Sequence, residues 1–306
     1  MKMRTLLVAA VVSLAVLTSS QTAPASEKKL QYTFAIIQTE DMSVLAGRWA
    51  PILKWLDEKA NIEISFYATT SYSAVIEAML SGFVQIAQLG PKAYLIAHDK
   101  SKGKIQPIVA AARVPTAFDP TPCACYYGTL ITRADSGLDS IDKLKGKVLA
   151  LVDPGSTSGN ALPRGLFTAE RLGGKDLEDH FGRIFYSGHH VASVLAVQKG
   201  QADAAFVSES MIARAMDRGK AKKEDFNYLW RSPKIAIDSI TVDTSKVPPE
   251  IVEKIRAVYL DMHNDPEGLK ILNAAKYSRF DYSDDSTYDP LRKVLEAKAR
   301  MKKKSN

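Results

Sequence analysis

The feature that most constrains this chain is a strand, a hydroxyl-rich turn and a helix in direct succession. Residues 148–152, Val-Leu-Ala-Leu-Val, form a short apolar run bounded by turn residues, the pattern of a buried parallel strand. Asp153, Pro154, Gly155, Ser156, Thr157, Ser158 and Gly159 follow, and Leu166, Phe167, Ala169 and Leu172 then repeat at helical spacing. The first N–H groups of a helix lack partners, and the helix dipole places partial positive charge there. Three small hydroxyl side chains at that point add donors without bulk, a cradle for an oxyanion or a small hydroxylated solute. The alternative is that Ser156 or Ser158 only caps the helix.

The same alternation runs along the chain. Strands are expected at residues 32–39, 62–69, 84–89 and 106–114, with helices between them. Leu45, Trp49, Ile52, Leu53 and Leu56 mark one face of the helix over 41–60, and Ser71, Tyr72 and Ser73 open the next. After a proline-bearing loop (Pro115, Pro120, Pro122) comes a strand at 126–133. The alternation then restarts through 147–152, 183–187 and 204–207, with a helix over 189–199. Residues 229–243 read as strand despite Pro233, and residues 248–301 as largely helical. This predicts an α/β protein with parallel-rich sheets covered on both faces. Two such blocks joined near 114–133 and 229–243 give two lobes with a two-segment hinge. Residues 26–128 with 236–306 are assigned to the first lobe and 129–235 to the second. Ligands in such sheets bind outside the carboxyl ends of strands. That rule gathers residues 69–72, 90–94, 123–127, 156–158 and 188–190 about one cleft, which hinge closure would seal.

Residues 1–25 stand apart. Lys2 and Arg4 precede an apolar stretch over 6–17, and Ala23-Pro24-Ala25 gives a small-x-small cleavage pattern. This is a signal peptide, too short to span a membrane, and no Cys follows it to carry a lipid anchor. The chain beyond it is expected to be soluble and periplasmic. The net charge of +7 comes from the ends: +2 from Lys2 and Arg4 and +6 from the tail beginning at Arg292, leaving the body near −1. A nucleic-acid-binding face is therefore not expected, and the basic tail reads as a solvated helix end.

At these positions the chain resembles the periplasmic phosphonate-binding proteins of ABC importers and their phosphite- and phosphate-binding relatives. The matching pieces are Thr70-Ser71-Tyr72 with Ala78-Met79, Leu89-Gly90-Pro91, and Tyr126-Tyr127-Gly128 before a strand. They extend to the segment from Asp153 to Gly159 with Pro163, and to Ser187-Gly188-His189-His190 before a helix. The resemblance implies the type II periplasmic-binding-protein fold, and by carry-over a site lined by Tyr72, Tyr126, Ser156, Thr157, Ser158 and His190. It also implies a departure: Val191 and Ser208 stand where aminoalkylphosphonate binders carry carboxylates for the ligand ammonium, and an unpaired buried amine is costly.

Cys123 and Cys125 are the only cysteines. Two residues apart on an extended segment, they point the same way, and thiolates favour soft metals and metalloids. The pattern resembles the family's arsenite-sensing branch, a periplasmic regulator of arsenite oxidase that works with a sensor histidine kinase. By that likeness arsenite binds at Cys125 or Cys123, with Cys125 favoured because it adjoins Tyr126. The alternative is the substrate-binding component of an ABC importer for phosphonate, phosphite or phosphate, partnered by a permease. Two cysteines in an exported protein usually form a disulfide, but one intervening residue argues for a strained ring and against it. Chance buried thiols are the remaining option.

No cofactor is expected. His189-His190 has no third ligand at zinc spacing; His190 is expected to donate to the solute and His189 to lie at the surface. An enzyme is not expected, because Ser156 with His190 lacks both a Gly-x-Ser-x-Gly elbow and an acidic group to orient the histidine.

Overall fold

The structure, a computed structural model, describes residues 29–69 and 71–305. The signal peptide expected over residues 1–25, and Thr70, lie outside the described residues.

In the first lobe β1 (Leu30–Ile36), α1 (Met42–Ala60), β2 (Ile62–Tyr67), α2 (Tyr72–Leu80), β3 (Ile86–Leu89), α3 (Pro91–Lys100) and β4 (Ile105–Arg113) follow the predicted alternation. The chain crosses the hinge at β5 (Cys125–Tyr126) and builds the second lobe from β6 (Gly128–Arg133), β7 (Val148–Leu151), α4 (Thr168–Arg171), β8 (Arg183–Tyr186), α5 (His190–Gln198), β9 (Ala204–Ser208), α6 (Glu209–Asp217) and β10 (Phe226–Arg231). It returns through β11 (Ile235–Ala236) and completes the first lobe with β12 (Ser239–Asp243), α7 (Pro249–Asp261), α8 (Pro266–Ala274), β13 (Tyr277–Tyr282) and α9 (Asp289–Ser305).

The sheets are mixed rather than uniformly parallel. The first runs β13-β4-β12-β3-β1-β2 and the second β10-β6-β9-β7-β8. β1 pairs in parallel with β2 and β3, and β7 with β8 and β9. β12 is antiparallel to β3 and β4, and β6 to β9 and β10. The cause is connectivity: β6 and β12 are the strands that enter each lobe from the hinge, so they run away from the cleft while their neighbours run toward it. Two sequence expectations change with this. The run over 229–243 breaks into three strands around Pro233, which has no N–H for a ladder. The stretch expected to be largely helical contains β13, an edge strand of the first sheet.

The hinge is itself a ribbon. β5 and β11 pair antiparallel, Tyr126 opposite Ile235 and Cys125 opposite Ala236, and Ile237 N donates to Ala124 O at 3.1 Å. The lobes meet across the cleft. Glu40, fully buried after β1, pairs with Arg48 of its own lobe, with Arg214 of α6 (3.1 Å) and with Arg218, the residue that follows α6. Lys92 N, at the start of α3, donates to Thr157 Oγ1 at 3.0 Å.

The first lobe's outer core is organised on α1. All five expected residues, Leu45, Trp49, Ile52, Leu53 and Leu56, are buried, and the helix ends where Asn61 turns left-handed at φ 50°. Trp49 lies between Phe34 of β1 (centroids 5.1 Å) and Tyr277 of β13 (6.1 Å), tying the helix to both halves of the sheet. Trp49→Ala is expected to cost about 3–5 kcal/mol; in denaturant titration, a loss below about 1 kcal/mol would contradict the central place given to Trp49.

Candidate functional site

β7 ends as the sequence predicts, but the helix after it opens with wide turns. Residues Thr157–Ala161 and Pro163–Phe167 form π-type turns before α4, with Ala161 N donating to Ser156 O at 3.0 Å. Pro163 has no N–H to give Gly159 O; that carbonyl instead accepts from Val152 N at 3.1 Å, folding the turn onto the strand. The approach leaves no space for a side chain: a Cβ on Gly159 would sit 2.3 Å from Val152 Cγ2. Single π turns of this kind are frequent at functional sites.

The three hydroxyls of this turn do different things. Ser156 Oγ accepts from Gly159 N at 3.1 Å, so it does cap the helix. Thr157 Oγ1 receives the Lys92 N–H from the opposite lobe. Ser158 Oγ is buried, with the Tyr126 hydroxyl as its polar neighbour.

Between the lobes lies a small cavity of about 20 Å³. Tyr72, Tyr126, Ser156, Thr157 and His190 line it, each from the cleft end of its lobe or from the hinge, and Ser158 is buried beside it against Gly128. The predicted hydroxyl and histidine residues therefore converge. Tyr72 heads α2, which Ser71 caps by accepting from Ala74 N at 3.2 Å.

Two further groups line the cavity that the sequence did not single out: Arg113, the last residue of β4, and Asp238, between β11 and β12. Arg113 ends an apolar strand at its carboxyl end, where the strand-end rule would have found it. Its Nε is buried without a partner among the described residues. Asp238 corrects the expectation of a cleft without carboxylates. Val191 is core and Ser208 lines the cavity, as their types dictate, but the hinge supplies a carboxylate from elsewhere.

Electrostatics fix the protons. Burial, together with nearby Asp238, drives the Tyr72 and Tyr126 phenols upward, so both stay protonated. His190 Nδ1 accepts from Ser208 N at 3.1 Å, which leaves the proton on Nε2. Burial, then His189 and Arg113, push its pKa down to about 3, so the ring is neutral. Burial raises the Asp238 carboxyl while Arg113 and Arg214 pull it back. The cavity thus presents many donors and one acidic acceptor. His189, expected at the surface, is instead half-buried. Its Nδ1 accepts from Ala192 N at 3.1 Å, capping α5, and its Nε2 lies 3.8 Å from Asp41 of the opposite lobe.

The cysteines depart most from expectation. Cys123 and Cys125 are joined in a disulfide, with Cα atoms 5.1 Å apart. That separation is within the range a bridge spans, because the segment bends at the hinge ribbon and Arg113 bridges back to Cys123. The pair does not line the hydroxyl cavity. It lies in an adjoining pocket with Asp119, and Arg113 and Tyr126 border both spaces.

A family model described as the periplasmic substrate-binding protein of phosphonate ABC transporters matches residues 34–288. The chain belongs to this family. Among curated relatives, a phosphate-import protein of Mycolicibacterium smegmatis is 31% identical over 235 residues, spanning 74% of this chain and 70% of its own. Among solved structures, a binding-protein component of a phosphonate ABC transporter from Pseudomonas aeruginosa superposes with a TM-score of 0.81 at 26% identity, covering 91% of this chain and 90% of its own. A Prochlorococcus marinus protein in complex with methylphosphonate shares the fold at a TM-score of 0.73 and 17% identity, covering 86% and 96%. These relatives of the phosphonate-binding family are binding proteins, not enzymes. No helix among the described residues is long and apolar enough to cross a membrane.

His190 gives this family member a pH signature. A histidine held neutral in the fold binds fewer protons than in the unfolded chain, so it favours folding fully above about pH 6.5 and progressively less as pH falls toward 3. Stability curves of the ligand-free protein between pH 7 and 4 are expected to fall less steeply for His190→Gln than for the parent. Parallel curves would mean that His190 titrates normally.

Proposed function

We propose that this chain is the periplasmic solute-binding component of an ABC importer, and that its solute is phosphate or a small phosphonate. The observation that carries the reading is the set of donors brought to one small cavity. Arg113 Nε is buried without a partner among the described residues, Ser158 Oγ is buried beside the cavity against the Tyr126 hydroxyl, and the Tyr72 and Tyr126 hydroxyls and His190 Nε2–H stand around the same space. Buried donors left unpaired cost about 1–3 kcal/mol each, and a tetrahedral oxyanion offers several lone pairs at once. The phosphate-import and phosphonate-transport relatives support the same class of solute. In this reading residues 1–25 direct export and a membrane permease is the partner that takes the solute from the closed lobes.

Arsenite sensing through a histidine kinase requires a free thiol. Both sulfurs are committed to each other here, and they border a different pocket from the hydroxyl cluster. The geometry therefore favours phosphorus over arsenic.

The test is thermal melting and calorimetric titration of the protein lacking residues 1–25 with phosphate, methylphosphonate, phosphite and arsenite, without and with a thiol reductant. Ligands that bind only the folded state raise the melting temperature. A rise with phosphate or methylphosphonate is expected in both redox states. Arg113→Ala is expected to weaken that binding by about tenfold or more, since charge-assisted contacts to oxyanions are among the strongest hydrogen bonds. A response to arsenite alone, gained on reduction, would replace this reading with the metalloid one.

A further inference from the structure

The cavity holds one group that a purely anion-attracting site would not contain. Asp238 faces it from the hinge, beside Tyr72 and Tyr126. Its carboxylate pairs with no side chain among the described residues. Space around it is restricted, since a Cβ on Gly90 would lie 3.4 Å from its Oδ1.

We propose that Asp238 makes the site selective for tetrahedral oxyanions that still carry an O–H, and excludes fully ionised ones such as sulfate. This rests on the phosphorus-oxyanion reading above and adds to it the discrimination between anions of similar size. An ionised carboxylate is acceptor-only. A hydrogen phosphate or hydrogen phosphonate turns its O–H toward Asp238 and its bare oxygens toward Arg113 and the hydroxyls. Sulfate has no proton to give. It would set two bare anionic oxygens against each other in a water-poor site, unless Asp238 first took up a proton from solvent. Sulfate binding is therefore coupled to proton uptake, and binding of hydrogen phosphate is not.

The groups facing Asp238 make this coupling readable. From β4 comes Arg113, from α6 Arg214, from α2 Tyr72, from β5 Tyr126, and from the turn before α9 Tyr288, with His190 of α5 across the cavity. Burial holds the three tyrosines protonated, and His190 is neutral throughout the neutral range. Between about pH 6 and 8.5 that leaves Asp238 and the solute as the proton carriers of the site.

The experiment is calorimetric titration of the parent and of Asp238→Asn with phosphate, methylphosphonate and sulfate at pH 6 and 8, in buffers of different ionisation enthalpy. The parent is expected to prefer phosphate over sulfate by at least about a hundredfold at pH 8, where phosphate keeps its O–H, and to bind methylphosphonate more tightly toward pH 6, where that ligand carries its O–H. Residual sulfate binding is expected to strengthen toward pH 6 with uptake of one proton. The Asn variant, whose amide can donate, is expected to lose about tenfold or more for the phosphorus ligand and to gain a similar factor for sulfate. Equal affinity of the parent for sulfate and phosphate, or unchanged discrimination in a variant that melts cooperatively, would overturn the role of Asp238. Should the variant fail to fold, the parent's proton uptake decides alone: sulfate bound without a proton overturns the proposal. If the parent binds neither phosphorus ligand, the solute assignment has failed instead.

Discussion

Two lobes that close over a small solute must take polar groups out of water, and each group left without a partner costs free energy. Most of the chain's distinctive sequence serves to bring such groups together and hold them there. Strands from both sheets aim their carboxyl ends at one gap. The turn after β7 is bent tightly enough that Gly159 lies against Val152, and the hinge ribbon adds Tyr126 and Asp238. The scaffold satisfies what it can: Ser156 caps its helix, Thr157 takes an N–H from the facing lobe, and His190 accepts from Ser208. Among the described residues Arg113 Nε is left unsatisfied at the cavity, where the proposed solute would bind.

The parts legible in the sequence were those with local signals. Ser156, Thr157, Ser158, Tyr72 and His190 all sit in the turn between a strand and the helix after it, or at that helix's first residue. Their position relative to the cleft followed from the strand-end rule without knowledge of the tertiary structure. The antiparallel strands were hidden because direction in a sheet depends on which end the chain enters, and the crossover that decides this for β6 and β12 lies in irregular sequence. Asp238 is hidden for the same reason: it flanks a crossover, where no periodicity marks a facing side, whereas Arg113 follows from the strand-end rule at the end of β4. The disulfide is hidden because one intervening residue implies a strained ring, whereas the chain bends between Cys123, which bridges to Arg113, and Cys125, where the hinge ladder begins. The motif that suggested metalloid chemistry is, in the fold, a cross-link beside the hinge.

Charge in the site is arranged by neighbours rather than by composition. The body of the chain is near neutral, so no broad field draws anions in. Attraction is left to Arg113, close to Asp238, and to neutral donors fixed by burial. On the proposed role of Asp238, such a site reads the number and placement of protons on its guest as much as its charge.

Glu40 lies outside the cavity, yet it holds Arg48 from one lobe and Arg214 and Arg218 from the other. Contacts of this kind bias the equilibrium between open and shut before any solute arrives, and apparent affinity scales with the fraction already competent. Sensitivity in this protein is therefore set in two places. One is the pocket, which decides what is held. The other is the rim, where exchanging Arg48 or Arg218 would reset the concentration at which the proposed solute is bound and leave the choice among solutes to the pocket.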